Sequence, residues 1–200
     1  MQAAIRRTGT AARRFARACE GTVTVETVLV LPVLCWLYAA AFVWFDAYRV
    51  QNQNLKAVYA LSDAISRETH SIDQSDFEGM EAIYGYLTHD RFPVRLRVSA
   101  IKCTANCTSD EDRTLEVCWS VASATDTPLT NSDLPDYLGV TPLSNAGDTL
   151  VLTEAFMEYT PAFNVGIGAR TFDHLIFTRP RLAGQIKFDD DGEMRHCFSD

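Results

Sequence analysis

The pattern of apolar and polar positions changes three times along this chain. From Thr27 to Phe45, "TVLVLPVLCWLYAAAFVWF", nineteen residues pass without a charge. As a helix rising ~1.5 Å per residue, that run is about 28 Å long, close to the thickness of a bilayer core. A buried helix of a soluble domain is the other reading, but such helices seldom stay apolar on every face for so long. Pro32 falls inside the run and removes one backbone hydrogen bond there. Trp44 and Tyr48 stand at its far end, where interfacial aromatic rings are expected.

From Asp46 to about Thr69 the period becomes helical and amphipathic. Val50, Leu55, Val58, Leu61 and Ile65 recur with Gln, Asn, Lys, Asp and Arg between them. Neither proline nor glycine interrupts the stretch, so it reads as a continuation of the apolar helix. "SDFEGMEAIYGYLTHDRFP" then predicts a short helix capped by Ser75 or Asp76, with Phe77, Met80, Ile83, Tyr84 and Leu87 as its buried stripe. Pro93 bars a helix just before it.

From Val94 the period drops to two. Val94, Leu96 and Val98 alternate with Arg95, Arg97 and Ser99; Leu115, Val117, Trp119 and Val121 alternate with Glu116, Cys118 and Ser120. These are two strands around a polar loop. A proline-punctuated stretch over 123–148 comes next, with one helical turn expected at "LPDYLGV". "DTLVLTEAFMEYTP" and "DHLIFTRPRL" read as two more strands, and "GQIKF" as an edge. Strands gathered after helices argue α+β: a long N-terminal helix, membrane-spanning then amphipathic, packed on a small, mainly antiparallel sheet. The expected divisions are a leader over 1–21, a membrane helix over 22–45, its amphipathic extension over 46–70 and an exported domain over 71–200.

Charge adds an orientation. Five arginines (Arg6, Arg7, Arg13, Arg14, Arg17) face one acid, Glu20, up to Gly21, whereas the remainder carries 13 basic and 25 acidic residues. A basic tip before an apolar run places the N-terminus in the cytoplasm and exports the chain beyond the run. The acidic body excludes nucleic acid as a partner, because phosphates demand a positive surface.

Glu26 is the anomaly, since a carboxylate in hydrocarbon costs a few kcal/mol even on lenient scales. Three fates suit such an N-terminus: an uncleaved anchor, a secretory signal cut near Ala39–Ala41, or a cut before the apolar run. The third accounts for Glu26. A cut after Gly21 makes Thr22 the new terminus and Glu26 the fifth mature residue, about 6–7 Å into the helix, near the headgroups and the positive end of the helix dipole.

Gly, four residues, Glu and an apolar helix resembles the processing site of type IV prepilins. "GTVTVETVLVLP" more particularly resembles TadE/TadG-like pseudopilins of the tight-adherence, Flp-type pilus system, and "RRFAR" in the leader fits. Thr27 stands where a Phe often follows the glutamate, and Thr22 where major type IV pilins carry Phe. "EYTPAF" and "TRPR" resemble the C-terminal half of TadE-like proteins, so the resemblance covers most of the chain. It implies a pilin-like architecture and cleavage after Gly21 by a prepilin peptidase. It further implies Glu26 as the recognition or assembly residue, other pilin or pseudopilin subunits and the assembly machinery as partners, and residence in a bacterial inner membrane. In an assembly, the α-amine of one subunit would pair with Glu26 of a neighbour.

Six cysteines divide cleanly. Cys19 lies in the leader and Cys35 in the apolar run, where it acts as a small apolar residue. Cys103, Cys107, Cys118 and Cys197 lie in the exported part, where an even count in an oxidising compartment suggests two disulfides. Three pairings are open; the favoured one is Cys103–Cys107 as a loop staple and Cys118–Cys197 as a long-range tie. A zinc site built on Cys-x3-Cys is the sharper alternative, without the tight second pair that such sites show. "DDDGE", Asp189 to Glu193, lacks the ligand spacing of a calcium loop and reads as a solvated turn. No nucleophile elbow, phosphate loop or dinucleotide fingerprint occurs. The expectation is therefore a non-enzymatic minor pilin or pseudopilin with no cofactor or metal. The alternative is a signal-anchored or released periplasmic domain with a ligand-binding or enzymatic role unrelated to pili.

Overall fold

One helix runs through both the apolar and the amphipathic stretch. In the computed structural model, which describes residues 22–109 and 112–198, α1 spans Thr22–Ser66 without a break, with Pro32 inside it. The leader, with Gly21, Cys19 and its arginines, lies outside the described residues. The chain continues as β1 (Ile72–Asp73), α2 (Gln74–Leu87), β2 (Val94–Ala105) and β3 (Thr114–Ala122). A 3-10 turn at Leu134–Tyr137 is followed by β4 (Thr149–Tyr159), β5 (Arg170–Thr178), β6 (Phe188–Asp190) and β7 (Glu193–Arg195).

The architecture is α+β, with the long helix packed on antiparallel sheet. The main sheet has the order β3-β2-β4-β5, every neighbour antiparallel. α1 lays one face on it. Ala40, Val43, Ala47, Val50, Asn54, Val58, Leu61 and Ile65 are buried, recurring every three or four residues as one stripe of a helix must. Four of the five positions expected on that stripe are buried, and Leu55 is half-buried at its flank. Val98, Ala100, Trp119, Val121, Val151, Ala155 and Ile176 receive the stripe from the sheet. β5 runs alongside α1 in the same direction: Phe172 lies near Asn54 and Thr178 near Ser62.

The sheet's other face is also covered. Leu129 and Leu134, from the irregular stretch between β3 and β4, pack on Ile101, Leu150 and Leu152. That cover explains why β4 is buried at nearly every position instead of alternating.

Several details differ from the sequence expectation. α1 ends at Ser66, short of Thr69. The cap of α2 is Asp73, not Ser75 or Asp76: its carboxylate accepts from Asp76 N at 2.8 Å, while Asp76 Oδ2 accepts from Asp73 N at 3.1 Å. Ile83 is exposed; about 100° of rotation per residue puts it ~120° away from Phe77, whereas Tyr84 comes back to within ~20°. "GQIKF" does not edge the main sheet. Phe188 opens β6, which pairs in parallel with β1 and antiparallel with β7, forming a second, three-stranded sheet. "DDDGE" is the β6–β7 hairpin: Asp191 and Gly192 both take positive φ, and Gly192 N donates to Asp189 Oδ1 at 2.8 Å.

Candidate processing site and membrane anchor

Up to Tyr38, α1 has no cover from the other described residues. Every side chain described from Val23 to Tyr38 is exposed, among them Val28, Leu29, Leu31, Leu34, Trp36 and Leu37. Among the described residues this is the one helix long and apolar enough to cross a membrane. Water around so many bare aliphatic and aromatic groups would be costly at roughly 25 cal/mol per Å², and a monomeric soluble protein rarely leaves a patch of this size open. A single-pass membrane anchor accommodates it without further packing.

Thr22 is the first residue of α1, and Glu26 lies one turn further on, exposed and surrounded by valines. Thr27 donates its hydroxyl to Val23 O at 2.7 Å, which satisfies that polar group within the helix. Glu26 shares its turn with no basic side chain, so any counter-charge for it comes from outside α1. Gly21 lies outside the described residues.

Where α1 meets the domain, polar and aromatic groups form a collar. Arg91, between α2 and β2, grips Asp46 through Nη1 at 2.7 Å and Nη2 at 2.9 Å. That bond, more than any other influence, holds the Arg91 guanidinium above its usual range. Tyr159, the last residue of β4, donates to the same carboxylate at 3.4 Å, and burial, then Asp46, pushes its phenol up. The Tyr159 ring meets Phe92 edge-on and stacks on Phe172, with centroids 5.2 Å apart in each pair. Ala47, Val50, Met157 and Ile167 close the cluster. Trp44 and Tyr48 face outward beside it, rings 6.4 Å apart.

Farther from the apolar half, Tyr84 of α2 donates to the buried Asn54 side chain, whose Nδ2 donates to Phe172 O at 3.3 Å. Burial drives the Tyr84 phenol strongly upward. Asn54 thus ties α1, α2 and β5 at one point. The signal for it was in the chain: a polar residue four after Val50 and four before Val58, on the apolar stripe. The collar left no such mark, because Asp46 and Arg91 are distant in sequence.

Four of the candidate cysteines are joined as Cys103–Cys107 and Cys118–Cys197. Their thiols are consumed, which leaves no thiolate for a zinc site. Cys35 is free and exposed on the apolar half of α1. Among the described residues no group of three His, Cys, Asp or Glu converges as a metal would require. On the outer sheet face a network links the half-buried Arg97 and Tyr137 to the buried Glu154. Arg97 donates to Glu154 at 2.6 and 2.8 Å, and Tyr137 donates to Glu154 at 2.8 Å. Burial and then this bond push the Tyr137 phenol up to about 12. The network fastens the covering segment to the sheet, an architectural task. No protein-family model, curated protein or solved structure matches this chain.

Proposed function

We propose that this protein is a minor pilin or pseudopilin-like component of a tight-adherence pilus. A prepilin peptidase cuts it after Gly21, and its N-terminal helix holds it in the bacterial inner membrane. The leader is cytoplasmic and the α+β domain periplasmic. The observation that carries this reading is the division of α1: a bare apolar half with an exposed Glu26 one turn from Thr22, and a second half that is the spine of the domain. A helix built this way presents its apolar half to lipid before assembly and to the helices of other subunits within a filament. Glu26, lacking a basic neighbour on its own turn, has an unmet demand that the α-amine of a neighbouring Thr22 would answer. Two disulfides suit an oxidising compartment.

The test is the mature N-terminus, read by mass spectrometry after production with a prepilin peptidase. The expected start is Thr22. An intact leader in the presence of active peptidase, or a start near Phe42, overturns the proposal and favours an anchored or released domain with another role.

A further inference from the structure

We infer that the loop between β4 and β5, residues 161–169, is a lipid-contacting ledge that seats the domain on the surface of the bilayer crossed by α1. The inference rests on α1 being a membrane span and adds a second contact with the same bilayer.

Protein cover on α1 begins inside the apolar run, not after it. Ala40 is 8% exposed and Val43 1%, whereas the run continues to Phe45. Ala40 lies five residues before Phe45, about 7.5 Å along the axis. The domain therefore overlaps the last turn of the stretch that composition assigns to hydrocarbon. The side chains described as bare, Val23 to Tyr38, span about 24 Å, a little short of a bilayer core, so the span ends close to where the cover begins. The membrane surface then falls near Ala40, and the next few residues of α1 occupy the headgroup layer, which is roughly 5–7 Å deep on each side.

The loop stands at the outer edge of that layer. Ile167 lines one shallow groove with Trp44 and Tyr48, about 6 and 12 Å along α1 beyond Ala40, and packs with Ala47, Val50, Met157, Tyr159 and Phe172. Its composition suits an interface. "PAFNVGIGA", Pro161 to Ala169, contains no charge in a chain that is acidic beyond Gly21, and Phe163 is 56% exposed. Gly166, between the exposed Phe163 and the buried Ile167, takes φ 103°, a conformation that a larger residue would strain. Arg49, Arg91 and Arg170 ring the same end of the domain, exposed. The acids there are Asp46, held by Arg91, Asp90, and Glu158, which lies 3.9 Å from Arg95. An apolar tip with arginines around it is the pattern by which a surface enters the headgroup region. Trp44 and Tyr48 supply the aromatic belt beside it.

The experiment uses the full chain, with Cys19→Ser throughout, in nanodiscs of phosphatidylethanolamine and phosphatidylglycerol. A nitroxide is placed at native Cys35, or, with Cys35→Ser, at Phe163→Cys or at Leu182→Cys on the far end of the domain. Power saturation compares access of oxygen, which enriches in lipid, with access of a water-soluble nickel chelate. The Phe163 label is expected to favour oxygen, at a depth between those of Cys35 and Leu182. A Phe163 label matching Leu182 while Cys35 stays in hydrocarbon overturns the ledge and leaves the span intact. A Phe163 label shielded from both reagents also overturns it, in favour of a protein neighbour. A Cys35 label open to nickel overturns the span and the ledge together. Phe163 is exposed, so none of these readouts requires repacking of the core.

Discussion

Arg91 clasps Asp46 through two parallel hydrogen bonds of 2.7 and 2.9 Å, joining the start of the domain-bound half of α1 to the segment that follows α2. The two residues are 45 apart in sequence, and their contact lies just past Ala40 and Val43, where the packed domain first covers the helix. The pair is bidentate but Arg91 is half in water, so screening limits its worth. Arg91→Ala and Asp46→Ala should each cost about 0.5–1 kcal/mol, and the double variant little more than either. A double-mutant cycle by urea unfolding in detergent checks this; fully additive losses would remove the pair as a joint.

Tyr137 contributes, with the more deeply buried Tyr84, to an alkaline limit of the domain. Its phenol is held up to about 12 by burial and by its bond to Glu154, against roughly 10 in the unfolded chain. A raised folded value favours the protonated form. The stabilisation is therefore complete below about pH 10 and is lost as pH rises toward 12. Tyr137→Phe should cost about 1 kcal/mol at neutral pH and flatten the stability curve over that alkaline window. Chemical denaturation at pH 8 and at pH 11 reads both effects; an unchanged slope would exclude Tyr137 as the group responsible.

The two disulfides should differ in weight. Cys118 and Cys197 are 79 residues apart, Cys103 and Cys107 only 4. In the chain-entropy treatment, the long loop is worth about 4.5 kcal/mol and the short one about 2 kcal/mol. Alanine at both Cys118 and Cys197 should thus lower the denaturation midpoint more than alanine at both Cys103 and Cys107. Cys197 is also buried in the main core beside Trp119, which widens the gap. The reverse ranking would mean that residual structure in the unfolded chain, not loop entropy, sets the difference.

Thr153 carries a defect that a substitution should repair. It is fully buried in β4, and its hydroxyl has no hydrogen-bond partner among the described residues. A buried, unpaired hydroxyl is destabilising, and valine keeps the branched shape without it. Thr153→Val should raise stability by about 1 kcal/mol, seen as a higher urea midpoint at constant slope. A loss of stability would mean that the hydroxyl is satisfied by water.

Local period was enough to read the spine of the fold. Val50, Val58, Leu61 and Ile65 declare the buried face of α1, and the alternation in β2 declares its strand. The features that were not legible depend on distant partners. Ile72–Asp73 becomes a strand only because Phe188–Asp189 lies beside it, far along the chain, and two residues carry no period. The stretch between β3 and β4 looked like a connection, yet Leu129 and Leu134 make it a layer over the sheet, a role that appears only when Ile101, Leu150 and Leu152 are in place. Ile83 misled because an apolar residue one position off the stripe looks like a member of it. Of the candidate site, Glu26 was legible as a local contradiction, a carboxylate at the head of an apolar run. The collar was invisible because its chemistry is assembled across four separate segments.

Glu26 itself offers the last prediction. It lies exposed one turn into a helix that otherwise suits hydrocarbon, so its removal should make insertion easier, by up to a few kcal/mol if the carboxylate reaches the membrane interior. Glu26→Ala should therefore stay in the membrane fraction at normal levels. Under the proposed function the same variant should be cut after Gly21 more slowly, or assemble poorly once cut. Glu26→Gln separates the two: it keeps the shape and hydrogen-bonding capacity but not the charge that would pair with an α-amine. Normal cutting with failed assembly in Glu26→Gln assigns the charge to subunit docking, and failed cutting assigns it to the peptidase. Normal cutting and normal filaments in both variants would leave Glu26 with no part in either step.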